Sequence, residues 1–252
     1  MSFIRLALRL PAVAVLTVCC WLAVALVLPL RLVSQSLHVA IRRAIMRFWG
    51  KAFAWIVGMR VEIEGTPPTG TFYLVSNHVG YMDIILLSSV VAPAFVAKAD
   101  LRGWPLMGRI MATADTIFID RGRRKDVVRV MEAMAEAMKR GLGVVLFPEG
   151  TSGRGDAILK LKPSLLQFAA SRDLPVHYAT LSYSTPEGAP PPSETICWWG
   201  DAPFTPHVLG MLKLPYFEAH LCFAQKPVHD TDRKLLAEKL HEALSDQLRP
   251  MA

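Results

Sequence analysis

Cysteine is scarce in this chain: two are adjacent and two lie far apart. Its four cysteines are Cys19, Cys20, Cys197 and Cys222, and no C-x-x-C occurs. That spacing supports neither a zinc site nor a disulfide framework, and it fits a reducing compartment. Acidic residues are outnumbered as well: 21 Asp and Glu stand against 28 Lys and Arg, a net charge of +7. Excess positive charge alone would suit an anionic partner of any kind. A nucleic-acid reader, however, shows a polar Lys/Arg-rich face with interleaved aromatics. No such face is found here, and the basic run "RGRRK" (121–125) is the only feature in its favour.

The familiar catalytic signatures are missing too. There is no G-x-S-x-G, so a nucleophile elbow is not supported. There is no H-E-x-x-H, no Walker A motif and no G-x-G-x-x-G. "GLGVVL" (141–146) lacks the third glycine and precedes a strand instead of following one. Internal repeats and low-complexity tracts are absent, and the Pro-rich "STPEGAPPPSET" (184–195) is too short for a domain linker.

What the chain does have is apolar residue. Hydrophobic types make up 52% of its 252 residues, and mean hydropathy is +0.33. Residues 10 to 30, "LPAVAVLTVCCWLAVALVLPL", carry no charge. As a helix this run would reach roughly 30 Å, the thickness of a bilayer core. It is long for the apolar region of a signal peptide, and no A-x-A site follows it. Cations gather after it at Arg31, Arg42, Arg43, Arg47 and Lys51, which favours a body on the cytoplasmic side. Over 36–57, Leu37, Ile41, Ile45, Phe48, Ala52 and Trp55 recur at helical spacing among those cations. Such a helix suits an anionic membrane surface, or equally the flank of a core. These features divide the chain into an N-terminal anchoring part, 1–58, and a body, 59–252.

In the body, short apolar strands alternate with helical patterns. "FYLVS" (72–76), "AFVA" (94–97), "TIFI" (116–119), "VVLF" (144–147) and "PVHYATLSY" (175–183) read as buried strands. Helical stretches fall near 82–92, 104–112, 126–140, 163–171 and 231–248. Asp126 is placed to cap the third of these and Gly141 to end it. The alternation predicts an α/β fold, a mixed, largely parallel sheet flanked by helices.

In open α/β sheets, sites gather beyond the strand ends. Polar clusters occur there three times: Asn77-His78-Val79-Gly80-Tyr81-Met82-Asp83 after "FYLVS", Asp120-Arg121 after "TIFI", and Pro148-Glu149-Gly150-Thr151-Ser152 after "VVLF". A carboxylate on one imidazole nitrogen fixes the tautomer and leaves the other nitrogen to accept a proton. His78 and Asp83 therefore form the base half of a hydrolytic triad, without a protein nucleophile. That combination predicts direct activation of a substrate hydroxyl and group transfer with no covalent enzyme intermediate.

These clusters resemble the motifs of the glycerolipid acyltransferase family, the PlsC-like enzymes that acylate 1-acylglycerol-3-phosphate. "NHVGYMD" is similar to its N-H-x-x-x-x-D motif. "DTIFIDR" is similar to G-x-I-F-I-D-R, with Asp115 in the glycine's place. "FPEGTS" matches F-P-E-G-T-R/S, and "LPVHYATL" is similar to a fourth motif, with Tyr178 where a second proline is usual. "KADLRGWPLMG" adds Lys98, Leu101, Pro105 and Gly108. The resemblance covers roughly 60–225 together with the apolar N-terminal segment.

The resemblance implies roles. His78 would be the general base and Asp83 its orienting carboxylate. Arg121 would grip the acceptor phosphate, and Glu149, Gly150 and Thr151 would help bind the acceptor. A bare carboxylate repels a phosphate, so Glu149 is expected to bond a glycerol hydroxyl or to orient a neighbour. Amides near Gly150 could receive the phosphate or the developing oxyanion. Lys98 is a second electrostatic candidate, set against the plain reading of a solvated lysine after an edge strand. Arg154 could stand in for the arginine that often follows E-G-T, or sit in a surface loop. "CWWGD" (197–201) fits either a membrane surface or a core. No metal or bound organic cofactor is implied, since acyl-CoA or acyl carrier protein is a substrate. The implied partners are that donor, a lysophospholipid acceptor and anionic lipids of the inner membrane, with Arg42, Arg43 and Arg47 facing the leaflet. Lyso-ornithine lipid is the alternative acceptor. A lipid-binding protein without catalysis is a further alternative, opposed by the intact His/Asp pair.

Overall fold

The computed structural model describes residues 2–120 and 124–251. Two long helices come first: α1 (Ser2–Leu26), then a 3-10 turn (Leu28–Leu32), then α2 (Gln35–Val57). The rest alternates as β1 (Met59–Glu64), β2 (Tyr73–Ser76), α3 (Met82–Val90), β3 (Ala94–Lys98), α4 (Met107–Thr113), β4 (Ile117–Ile119), α5 (Arg124–Lys139), β5 (Val144–Leu146), α6 (Pro163–Ala170), β6 (Val176–Ser184), α7 (Pro192–Thr195), α8 (Phe204–Lys213), β7 (Phe217–Phe223) and α9 (Arg233–Gln247).

The strands form one seven-stranded sheet in the order β1-β7-β6-β2-β5-β3-β4. Every neighbouring pair is parallel except β6 with β7. The expected mixed, largely parallel sheet is therefore observed. It has two strands more than the apolar runs indicate. β7 alternates inward Phe217, Ala219, Leu221 and Phe223 with Glu218, His220 and Cys222. β1 is an edge strand exposed from Arg60 onward. A half-buried strand carries no unbroken apolar run, so its period of two is its only mark. β3 is interior, between β5 and β4, so Lys98 does not follow an edge strand.

Successive residues of a strand face opposite sides, and the core is accordingly double. Leu74 and Leu181 join α2, α3 and α8 on one face. Tyr73, Val75 and Val144 join α5, α6 and α9 on the other. In α2, Ser34 caps the first turn by accepting the Leu37 amide at 3.3 Å. Gly50 brings α2 close to α3, because a Cβ there would stand 2.4 Å from the Ser89 amide nitrogen. The helix carrying Asp83 is thus braced directly by the N-terminal segment.

Arg42 overturns one expectation. Instead of facing a leaflet it is fully buried. It donates to the carbonyls of Ala92, Pro93 and Ala114 and pairs with Asp115 at 2.9 Å. Arg31 and Arg140 reach the other oxygen of Asp115 at 3.0 and 2.9 Å. Burial alone would raise the Asp115 carboxyl, but the charges of Arg42, Arg140 and Arg31 hold it below its usual range. Arg43 is also turned inward, to the carbonyls of Gly70 and Gly141. Arg47 and Lys51 remain exposed. The reason is geometric: α2 lies on the body, so cations on its inner face need carbonyl and carboxylate partners. Asp126 sits in the first turn of α5, which begins at Arg124 rather than at Asp126. Its carboxylate accepts the Asp120 amide at 2.6 Å.

Candidate active site

β2 is only four residues long, whereas its neighbour β6 has nine. The pair is in register from Tyr73 against Val176 to Ser76 against Ala179, so β6 runs on past the end of β2. Asn77 uses this overhang. Its amide group donates to the Leu181 carbonyl and accepts the Leu181 amide, at 3.0 and 2.8 Å. The chain then turns through His78 to Gly80 into α3. Gly80 is needed there, since a Cβ would lie 2.9 Å from the Trp198 amide nitrogen. Trp198 in turn donates that amide to the Val79 carbonyl at 2.7 Å. "CWWGD" therefore backs the turn: Cys197 is buried behind it and Trp199 is exposed, with Arg154 over its ring at 5.8 Å.

The turn closes on Asp83, which is completely buried. Its Oδ2 accepts His78 Nδ1 at 2.7 Å and the amides of Val79 and Gly80 at 2.8 and 3.1 Å. Its Oδ1 accepts the Tyr183 hydroxyl at 2.8 Å. The bond at Nδ1 makes that nitrogen the donor and puts the imidazole lone pair on Nε2. Nε2 has no hydrogen-bond partner among the described residues, and the side chain is 24% exposed. The ring stacks on Phe147, centroids 4.2 Å apart. The imidazole is thus fixed in plane and in tautomer, with its basic nitrogen directed away from Asp83.

Glu149 follows β5, the neighbour of β2 on its other side. It is buried, and its Oε1 accepts the His78 amide at 3.1 Å. The Leu159 amide also faces this carboxyl. Burial pushes the carboxyl up to about 8 against the lowering effect of those two amides, and the charge of Asp83 adds to the rise. Near neutral pH Glu149 is therefore largely uncharged, which removes the expected repulsion of an anionic acceptor. Its observed contact is with the backbone of a neighbour. The Gly150 amide donates to the Phe147 carbonyl at 3.2 Å, so that amide is engaged within the turn. Thr151 is exposed on the same turn.

The structure thus brings His78, Asp83 and Glu149 together, with Gly150 and Thr151 alongside. Lys98 ends β3, two strands from β2 and hence about 10 Å across the sheet. It is exposed and paired with Asp100 at 2.5 Å. Arg121 lies outside the described residues; β4, which precedes it, ends on the same sheet edge.

Comparison with known proteins bears on this geometry. A family model described as Acyltransferase matches residues 59–182. The chain is 31% identical over 239 residues to a lyso-ornithine lipid O-acyltransferase of Rhizobium meliloti (strain 1021), covering 88% of this chain and 82% of that one. It is 29% identical over 210 residues to a 1-acyl-sn-glycerol-3-phosphate acyltransferase of Neisseria gonorrhoeae, covering 80% and 79%. The chain belongs to the acyltransferase family. The fold agrees with the crystal structure of a 1-acyl-sn-glycerophosphate acyltransferase, PlsC, from Thermotoga maritima. That match has a TM-score of 0.67 at 22% identity and covers 98% of this chain and 97% of the other.

Several residues of this acyltransferase's site escape a reading of motifs. Tyr183 looks like an ordinary core aromatic in the sequence, and Phe147 carries no stated role although it opens "FPEGTS"; only the strand overhang and the ring stack show their contacts. His207 bonds the Tyr81 hydroxyl and the Cys197 carbonyl at 3.0 and 3.1 Å. Glu149 yields a prediction. Glu149→Gln keeps an oxygen for the His78 amide, so kcat should stay within about three-fold of wild type. Glu149→Ala takes that acceptor from the part-buried His78 amide and should cost at least about ten-fold. The native carboxyl holds a proton that the unfolded one loses above about pH 4.3, so stability should fall as pH rises towards 8. Melting temperatures across that window should decline less in Glu149→Gln. An equal decline would show that the carboxyl titrates normally in the fold.

Proposed function

We propose that the chain transfers a fatty acyl group from acyl-CoA or acyl carrier protein to the hydroxyl of 1-acylglycerol-3-phosphate, giving phosphatidic acid. The observation that carries the reaction is the fixed imidazole: Nδ1 held by Asp83, Nε2 unpartnered among the described residues. The acceptor hydroxyl loses its proton to Nε2 as its oxygen attacks the thioester carbon. The tetrahedral intermediate collapses, the carbon–sulfur bond breaks, and the thiolate takes the proton back from the imidazolium. Asp83 stabilises the charged ring between the two steps. This sequence uses no metal and no bound cofactor.

Support for a phosphate-bearing acceptor comes from the sequence, where Arg121, Arg123, Arg124 and Lys125 follow the residues of β4. A guanidinium fork is the natural grip for a phosphate. Lyso-ornithine lipid is the second reading, supported by relatives of that name in Rhizobium meliloti and Brucella abortus (strain 2308). The deciding experiment offers purified protein acyl-CoA or acyl carrier protein with a panel of lysolipids and identifies products by mass. Phosphatidic acid as main product, lost on Arg121→Ala, supports the proposal. Acylated ornithine lipid with no phosphatidic acid transfers it to the second acceptor.

We further propose that the protein sits on the cytoplasmic face of the inner membrane with α1 lying along its body. Ser2–Leu32 is the single candidate span among the described residues. Yet Arg5 and Arg9, near its start, bond the carbonyls of Lys213, Leu212, Leu214 and Pro215 at the end of α8. Near its other end Trp21 bonds Thr113 at 3.1 Å. A helix tied to the same body at both ends cannot carry its N-terminus across a bilayer. Leu8, Val15, Leu22, Phe48 and Trp55 are exposed on the two helices and would enter the near leaflet. Cysteines introduced at Ser2 and Ser34 should both resist a membrane-impermeant maleimide in spheroplasts and react after lysis. Labelling of Ser2→Cys in intact spheroplasts would instead mean that α1 spans.

A further inference from the structure

Asp83 is held from two directions. Three donors meet at Oδ2: the imidazole and the two amides of its own turn. Those bonds locate one oxygen and leave the other to a partner outside the turn. The second oxygen, Oδ1, has one partner among the described residues, the hydroxyl of Tyr183 at 2.8 Å. Tyr183 belongs to a different element, 100 positions away on β6. It sits two residues past Leu181, the residue that Asn77 grips, so the same strand overhang locates both ends of the catalytic turn. Its ring is buried and packed. It is 3% exposed and packs edge-on to Phe217 with centroids 6.2 Å apart, and its amide meets the Met251 sulfur at 3.0 Å.

Resting on the proposed reaction, we infer that Tyr183 is a positioning residue for catalysis. It fixes the orientation of Asp83 and tempers that carboxylate's pull on the His78 proton. The phenol stays protonated throughout the working range, because burial, the charge of Asp83 and the bond itself all raise it far above its usual value. It therefore only donates. A donor on Oδ1 draws electron density from the carboxylate and weakens its hold on the imidazolium. The hydroxyl thus favours return of the proton from the imidazolium to the leaving thiolate, while Oδ2 keeps the ring in place. Among the described residues the other titratable groups around the pair are Glu149, beside Asp83 across the turn, and Cys197, whose thiol burial raises to about 12. Neither donates to Oδ1 in the structure.

Tyr183→Phe removes a single oxygen and tests the inference. Expected are a kcat about ten-fold lower with KM within two-fold, and an acid limb of kcat/KM moved to higher pH by about half a unit. 3-Fluorotyrosine at position 183 keeps the hydroxyl as a stronger donor, so it should move that limb the other way. In an Asp83→Asn background, Tyr183→Phe should lower kcat by less than two-fold, because the residue acts through the carboxylate. Multiplicative effects in the double variant, or a lowered melting temperature with wild-type kcat and pH profile, would overturn the inference and leave Tyr183 a core residue. If Tyr183→Phe does not accumulate as folded protein, the fluorotyrosine variant decides alone, and an unmoved limb counts against the inference. An active His78→Ala enzyme would sink the underlying reaction, a result distinct from any of these.

Discussion

His78→Ala should lower kcat at least about 100-fold, the smaller end of what a positioned base supplies. KM should stay nearly constant, because the imidazole acts on a proton in flight and not on bound substrate as such. The fold should survive. The ring is partly exposed, and among the described residues its only hydrogen bond from a side-chain atom goes to Asp83. Asp83 keeps two amides and the Tyr183 hydroxyl after truncation. Asp83→Asn should be similarly slow for a different reason. An amide in its place presents either a neutral oxygen or an NH₂ to Nδ1, so the ring loses its charge partner or its tautomer. Single-turnover rates and melting temperatures, measured together, separate chemistry from folding. A folded His78→Ala protein turning over near the wild-type rate would rule out imidazole as the base.

Asp115→Asn should be the most destabilising single change considered. It keeps shape and removes the negative charge that faces Arg31, Arg42 and Arg140. Arg42 is fully buried, and breaking a buried pair from one side costs roughly 3–5 kcal/mol because the other charge is left without a counter-ion. For a chain of this size that is a fall in melting temperature of about 10 °C. Asp115 has φ +59°, the left-handed region that favours glycine, which accounts for glycine being usual at this place in the motif. Asp115→Gly would relieve the backbone yet should still melt early, since the charge is what holds the 3-10 turn and α2 to the body. The carboxyl's low native value has a sign: its stabilisation is complete above the unfolded value and is lost as pH falls below about 4. Acid should therefore loosen the N-terminal helices in wild type and less so in either variant. Equal melting temperatures for wild type and Asp115→Asn would show that the cluster is not needed to hold the anchor.

Sequence alone determined the family-level reading. Apolar runs ending in "NHVGYMD", "DTIFIDR" and "FPEGTS" put polar clusters past three strands, because the end of a buried run is a local property. A parallel sheet then brings those ends to one edge. The five strands β2 to β6 were legible for the same reason, since their residues are largely buried; β1 and β7 were not, because their burial is one-sided and leaves alternation instead of a run. His78 and Asp83 were legible as a pair because one turn holds both. Everything that passed between distant segments had to wait for the tertiary structure. Arg42 and Arg47 lie on one helix with the same charge, and packing alone sends one to Asp115 and leaves the other exposed. Glu149 is any carboxylate until burial beside Asp83 keeps its proton on. Tyr183 reads as one more strand aromatic until the unequal lengths of β2 and β6 carry its hydroxyl to Asp83. Burial, charge balance and the reach of a hydrogen bond are properties of neighbours, and the chain order does not state who the neighbours are.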